Sequence, residues 1–460
     1  MTENDSDLRF FEERVVPSSP SAQLASEKTR LILKGGHAIS YAGLFLFSIV
    51  LFFRPYEIIS ALSSFKTMAF WTAIFTLLVY IPSQIGREGN LTARPREVNL
   101  VLLLCLTALL SMPLAADPKM AWEAFNQEFI KAVLMFIVLV NVVNTERRLK
   151  GLLLLTLAVS CYLSWHALND YRVGNFYDQF SRVKGAIGGM FGNPNDMALH
   201  LVTMLPITVA LLLSTRNFAG KMLYGMCGAL ITVATVVTFS RGGFIGLMAA
   251  GLVMAWKFGR RNRVGVVALT AVTLLLFIAF APGSYGTRLL SIVDTGLDAS
   301  GSHNARNELL KRSVVVTLAN PVFGIGIGNF PIVGIRNLVS HNAFTQVGAE
   351  MGITAMMIYT LFMLTPLTRL QRIERETLGS PPELRRFYCL AVGLQASLVG
   401  YMVSSFFVSV AYQFYVYYLV GYAVSLRRIY DAREVATTGV SAKSSFISVE
   451  QHEADAANRE

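Results

Sequence analysis

Ser340-His341-Asn342-Ala343-Phe344-Thr345-Gln346 is where the chain changes solvent. The roughly sixty residues before it, from Pro282 to Ser340, are too charged and too glycine-studded to lie in lipid. After it comes a hydrophobic run that carries one acid, Glu350. A histidine at such a boundary stands where water, a lipid headgroup and a protein cavity can meet.

Outward from this seam the chain reads as membrane-embedded. Of its 460 residues, 53% are hydrophobic and only 15% charged, against about 25% charged in soluble domains. Several windows stay apolar for roughly 17 to 25 residues, the length of a membrane helix. The short alternating segments of a membrane β-barrel are not evident. The expected fold class is an all-α polytopic membrane protein of about twelve transmembrane helices, with one large loop that contains short helices. The apolar runs are 38–53, 67–85, 98–115, 128–144, 149–168, 196–214, 220–239, 242–257, 264–281, 342–367, 388–408 and 410–426. Residues 117–127 read as a short interfacial helix. Residues 1–35 and 431–460 read as disordered polar tails, flanking a membrane domain over 36–430. The first thirty residues are not a signal peptide, so the first apolar run is expected to act as an uncleaved signal-anchor.

A net charge of +11 does not call for a nucleic-acid partner here, and none is expected. The question is on which side the cations lie. With the N-terminus in the cytoplasm, the inward loops carry Arg87, Arg94 and Arg96; Arg147, Arg148 and Lys150; Arg216 and Lys221; Lys257, Arg260, Arg261 and Arg263. The next adds Arg369, Arg372, Arg375, Arg385 and Arg386, and the C-terminal flank Arg427 and Arg428. Every inward loop is basic, so both tails are expected in the cytoplasm. Two outward segments, 169–196 and 282–340, are long enough to do more than connect.

On the outward side stand Arg182, followed by Gly185 and Asn193-Pro194-Asn195-Asp196; Arg241 in Ser240-Arg241-Gly242-Gly243; Arg306; and His341. Each has a structural reading beside the functional one. Arg241 can anchor its loop by snorkelling, Arg306 can be a solvated neighbour of Lys311 and Arg312, and Arg182 can pair with Asp178 or Asp196. A lone histidine at a helix start is more often structural than catalytic. Glu350 lies about nine residues into its helix, roughly 13 Å deep, and an acid inside a membrane span is a functional candidate by default. Gly324-x-Gly326-x-Gly328 has the wrong spacing for a dinucleotide site and reads as turns that let backbone approach a partner. Cys105, Cys161, Cys227 and Cys389 lie in apolar runs without C-x-x-C spacing and read as small buried hydrophobes. The only Asp-x-Asp is Asp5-Ser6-Asp7 in the tail. No cofactor and no metal are expected, and a donor carried on a lipid diphosphate, held by arginine forks, fits better than a metal-bound nucleotide-sugar.

With these residues in place the chain resembles the O-antigen ligase and polymerase superfamily of bacterial membrane glycosyltransferases. The matching pieces are Arg182 with Gly185 and Asn193-Pro194-Asn195; Ser240-Arg241-Gly242; Arg306 with Asn320-Pro321-Val322-Phe323-Gly324-Ile325-Gly326; and Ser340-His341-Asn342 with Glu350-Met351-Gly352. The ligase-related region then covers about 182–367, with the periplasmic loop at 282–340. The resemblance implies a multi-pass protein of the bacterial inner membrane. It implies metal-independent transfer of a glycan from undecaprenyl diphosphate to a hydroxyl on lipid A-core, protein or another glycan, for lipopolysaccharide or surface polysaccharide. By carry-over, His341 and Glu350 would be catalytic, and Arg182, Arg241, Arg306, Asn193, Asn195 and Asn342 would bind substrate. A repeat-unit polymerase of the same superfamily is the alternative. From other classes come a lipid-glycan transporter and a cysteine transpeptidase built on Cys161, which has nothing nearby to lower its pKa.

Overall fold

The computed structural model describes residues 20–65, 67–177, 182–260, 263–265, 268, 271, 302–379, 381 and 383–434, the side chains of 20–36, 60, 302 and 303 excepted. The expected tails before residue 20 and after 434, most of the expected span 264–281, and residues 282–301 of the long loop lie outside them.

Among the described residues every regular element is a helix. In chain order these are α1 Pro20–Phe53, α2 Pro55–Ile58, α3 Met68–Glu88 and α4 Arg96–Ser111. Then come α5 Pro118–Val142, α6 Glu146–Val173, α7 Pro194–Ser214, α8 Phe218–Val237 and α9 Arg241–Gly259. The last four are α10 Ser302–Ala319, α11 Ala343–Thr377, α12 Arg385–Ser404 and α13 at 414–434. Nine described helices are long and apolar enough to cross a membrane.

Several boundaries differ from the sequence expectation; α11, for one, runs on to Thr377, past the expected end at 367. Helix α1 starts at Pro20, inside the stretch expected as a tail. Helix α4 stops at Ser111, two residues before Pro113, whose ring cannot continue a helix. The expected interfacial helix at 117–127 is not separate. Asp117 caps it by accepting from Lys119 N at 2.9 Å and Met120 N at 3.1 Å, and a π-helical turn at Phe125–Phe129 carries it straight into the next span. The last span begins only at 414, after a turn in which Gln413 N donates to Val410 O.

Helix α7 is the axis of the bundle. It is buried along most of its length and packs on α8, α9 and α12. Helix α11 packs on α4, α10 and α12. The glycines of α9 and α12 let those two helices close: an added Cβ on Gly400 would lie 3.1 Å from Ala250 Cβ.

Contacts between loops sort the chain into two ends. At one end Glu57 reaches Gly188, Arg182 reaches Thr238, Asp117 meets Asn329 and Ser340 meets Ser409. At the other, Lys257 pairs with Glu374, Arg427 with Glu97, Arg433 with Glu146 and Arg372 with Glu434. Arg182, Arg241, Arg306 and His341 all belong to the first end, and the arginine-rich loops to the second.

Candidate active site

The first group of site residues is built on the tight link between α8 and α9. Phe239 there takes the left-handed conformation at φ 51°, which turns the chain and places Ser240 as the cap of α9, its Oγ accepting from Gly243 N at 3.2 Å. Ser240 Oγ donates to Asn195 Oδ1 at 2.9 Å. The same oxygen accepts from Arg182 Nη2 at 2.9 Å, while Arg182 Nε donates to Thr238 O at 3.3 Å. Asn195 therefore fixes the Arg182 fork against the Ser240-Arg241 turn. Arg241 itself is half-buried as the first residue of α9. Asp178 lies outside the described residues.

The second group hangs on α11. This helix is broken at Gly352, which sits at φ 90° and ψ 172°. The break opens room for the loop 320–330, and Ile353 N donates to Pro321 O at 2.8 Å. Ile325 N and Gly326 N then donate to the carbonyls of Ala349 and Glu350 at 3.0 and 2.9 Å. Gly324, Gly326 and Gly328 all take positive φ and face Glu350 backbone, Ala115 and Ala124. A side chain at any of them meets both strain and a neighbour, so these are the turns that bring backbone against a partner.

Glu350 is the pin of that docking. It is 1% exposed. Its carboxylate accepts from Gly328 N at 2.9 Å, Phe330 N at 3.2 Å and Tyr412 Oη at 2.6 Å. The structure thus gives the carboxylate to the glycine loop and α13's approach, not to His341 or an arginine. It ties the loop 320–330 to α11.

His341 precedes Asn342, the cap of α11, instead of opening the helix. Asn342 Oδ1 accepts from Phe344 N and Thr345 N at 2.9 and 3.1 Å, leaving His341 just outside the first turn at φ 53°. Such a conformation for a non-glycine residue is uncommon and is held by its surroundings. Burial pushes the His341 imidazole down to about 4, and the Arg306 guanidinium adds to the shift in the same direction. The ring is therefore neutral at neutral pH and can accept a proton. Arg306, on α10, is half-buried.

The asparagines expected to bind substrate are otherwise occupied at their oxygens. Asn342 caps α11, and Asn193 caps α7 by accepting from Asn195 N at 2.8 Å. Asn195 spends its own oxygen on Arg182 and Ser240. In this structure the three oxygens build the site's frame.

One element of this end had no place in the sequence reading. The turn after α12, Ser404 to Ser409, joins the two groups. Ser404 Oγ donates to Gly242 O at 3.2 Å, and Phe407 packs on Gly242. Phe406 lies 4.7 Å from the Phe344 ring, and Ser409 Oγ shares a hydrogen bond of 3.0 Å with Ser340 Oγ. Three serines between two apolar runs were the available signal. A second is Arg54, at φ 44°, which pairs with Glu57 at 2.8 Å while Glu57 accepts from Gly188 N at 2.7 Å. Elsewhere, His200 is buried, with its Nε2 2.9 Å from Ser160 Oγ. Cys161 lies beside Cys227 within the bundle. Two cavities, of about 620 and 300 Å³, lie at the opposite end.

Fold and geometry together define a class: an all-α polytopic membrane protein whose arginines and one neutral histidine gather at the end away from its basic loops. Residues 226–360 match the family described as O-antigen ligase, a stretch that includes the Arg241, Arg306 and His341 positions. The match supports a ligase- or polymerase-like role in polysaccharide biosynthesis. No curated protein matches the chain. A chain from structural work on how a peptidoglycan synthase complex coordinates polymerization and crosslinking aligns at 18% identity over 73% of this chain and 97% of its own. Its TM-score of 0.40 makes it too loose a likeness to argue from.

Proposed function

We propose that this protein transfers a glycan from undecaprenyl diphosphate to a hydroxyl acceptor at the periplasmic face of the bacterial inner membrane, as an O-antigen ligase does, with both termini in the cytoplasm. The observation that carries the reading is His341, held neutral by burial just outside the cap of α11, at the end opposite the basic loops. Cation-rich loops stay in the cytoplasm, which puts the His341 end outside, where nucleotide-sugars are scarce and lipid-linked glycans are presented.

The acceptor oxygen attacks the anomeric carbon, and the bond from that carbon to the diphosphate oxygen breaks. The proton of the attacking hydroxyl passes to the His341 imidazole. Negative charge grows on the departing lipid diphosphate, where Arg241 and Arg306 offer fixed donors. Arg182 is oriented by Asn195, and Glu350 keeps the glycine loop in place. No step calls for a metal ion.

The test uses purified protein, lipid-linked donor and acceptor. His341→Ala should fold and insert, yet transfer glycan more slowly by about 10² to 10⁴. Transfer at the parental rate with the same pH profile assigns His341 a structural role and sinks the reading. Sidedness is tested separately: a cysteine at Ser302 should react with an impermeant maleimide added to intact spheroplasts.

A further inference from the structure

The cavity of about 620 Å³ lies at the far end from His341, among the ends of α6, α7, α8, α12 and α13. Four cations line it, Arg147, Lys150, Arg216 and Arg386, with Glu146 as the one acid. Glu146 is already engaged by Arg386 at 3.2 Å and Arg433 at 3.6 Å. Beneath the cations the wall turns apolar, with Leu153, Leu211, Leu390 and Leu426. Phe218 and Met222, on the helix that contributes Tyr224, are 76% and 52% exposed. In a membrane protein such side chains face acyl chains, so the cavity borders lipid. A rim of like charges over an apolar floor fits a molecule that is anionic at one end and greasy at the other.

We propose that this cavity holds an anionic phospholipid. Its phosphate sits among Arg147, Lys150, Arg216 and Arg386, and an acyl chain lies along Leu153, Leu211 and Leu390. Basic pockets between membrane helices recognise anionic headgroups by this combination of charge and depth. A soluble anion would use the rim and leave the apolar floor empty. The site stands apart from the glycan-transfer reading and does not depend on it.

The full chain, purified from nanodiscs made with equal parts phosphatidylglycerol and phosphatidylcholine, is examined by native mass spectrometry. Phosphatidylglycerol should be retained in preference to phosphatidylcholine, and Arg216→Gln and Arg386→Gln should each lower that retention roughly fivefold. Leu390→Trp fills the floor while keeping every cation, and should also displace the lipid. Equal retention of the two lipids, or retention unchanged in the Arg216→Gln/Arg386→Gln double variant, overturns the proposal. Inorganic phosphate raising the unfolding temperature as much as phosphatidylglycerol does at equal concentration would assign the rim to a free anion and overturn it as well.

Discussion

Helix α11 carries a buried acid toward each end, and the two are satisfied by opposite means. Glu374, on the basic side, accepts from Lys257 Nζ at 2.5 Å and from Gln395 Nε2 at 3.0 Å. Glu350, on the His341 side, accepts from two backbone N–H groups and a tyrosine hydroxyl. The backbone follows the same division. All five described non-glycine residues with positive φ, Arg54, Phe239, Arg336, Asn337 and His341, belong to the His341 end. One end closes regular helices with ion pairs. The other spends strain and neutral donors on an irregular surface, so the buried Glu350 consumes no cation.

The sharpest way to break this contrast is to change arginines at both ends. Arg241→Lys and Arg306→Lys keep the charge but lose the planar fork, and each should cost about 10² to 10³ in glycan transfer. Arg372→Lys, at the other end, should leave transfer unchanged. Full activity in both site variants, or a strict need for added divalent metal, would remove the proposed phosphate role.

Stability should separate the two acids next. Glu350→Ala strands Gly328 N, Phe330 N and the Tyr412 hydroxyl in the interior, at about 1–3 kcal/mol apiece, so an overall loss of about 4 kcal/mol is expected. Glu374→Ala should cost about half as much, because the long Lys257 stem can carry its charge toward water. Unfolding in detergent micelles measures both, and equal losses would erase the distinction.

The pH response of His341 sharpens the comparison further. Its folded-state pKa lies below the ordinary 6.5 of an unfolded histidine. On acidification from about 6.5 to about 4, the unfolded chain takes up a proton that the folded chain refuses. Stability from this group is complete above 6.5 and declines through that window, and His341→Gln should flatten the decline. The acid limb of transfer activity should sit near 4 in the parent. Arg306→Gln should raise the limb, yet leave it below 6.5, because burial is the larger cause. A limb unmoved by Arg306→Gln would separate the two side chains.

The smallest effect belongs to the exposed network. Arg372 pairs with Glu376 at 2.6 Å, but is 54% exposed, and Arg372→Ala should change stability by under about 1 kcal/mol.

Much of this arrangement was legible in the sequence. Apolar runs and cationic loops sorted Arg182, Arg241, Arg306 and His341 onto one end, because hydropathy reports which residues can share a solvent. The caps were also readable: an asparagine before a helix, as at Asn193-Pro194 and Asn342-Ala343, is a capping signal before it is a ligand signal. Other features had no local signature. The break at Gly352 hides inside an apolar run, since one glycine says nothing of its φ until the 320–330 loop docks there. The turn at 404–409 looks like a pause between two spans, and the Glu57–Gly188 contact joins residues 131 apart. Those are tertiary choices, made by packing.

The break at Gly352 also sets a height. From Ile353 to Arg369, the first cation beyond it, is 16 residues. That is about 24 Å of helix, most of the roughly 30 Å hydrocarbon thickness of a bilayer. Gly352 therefore falls close to the edge of the hydrocarbon, and the segment Ala343–Met351 stands in the headgroup zone. Glu350 is buried in protein there, and not in the middle of the lipid. His341 precedes that segment and so lies on its watery side.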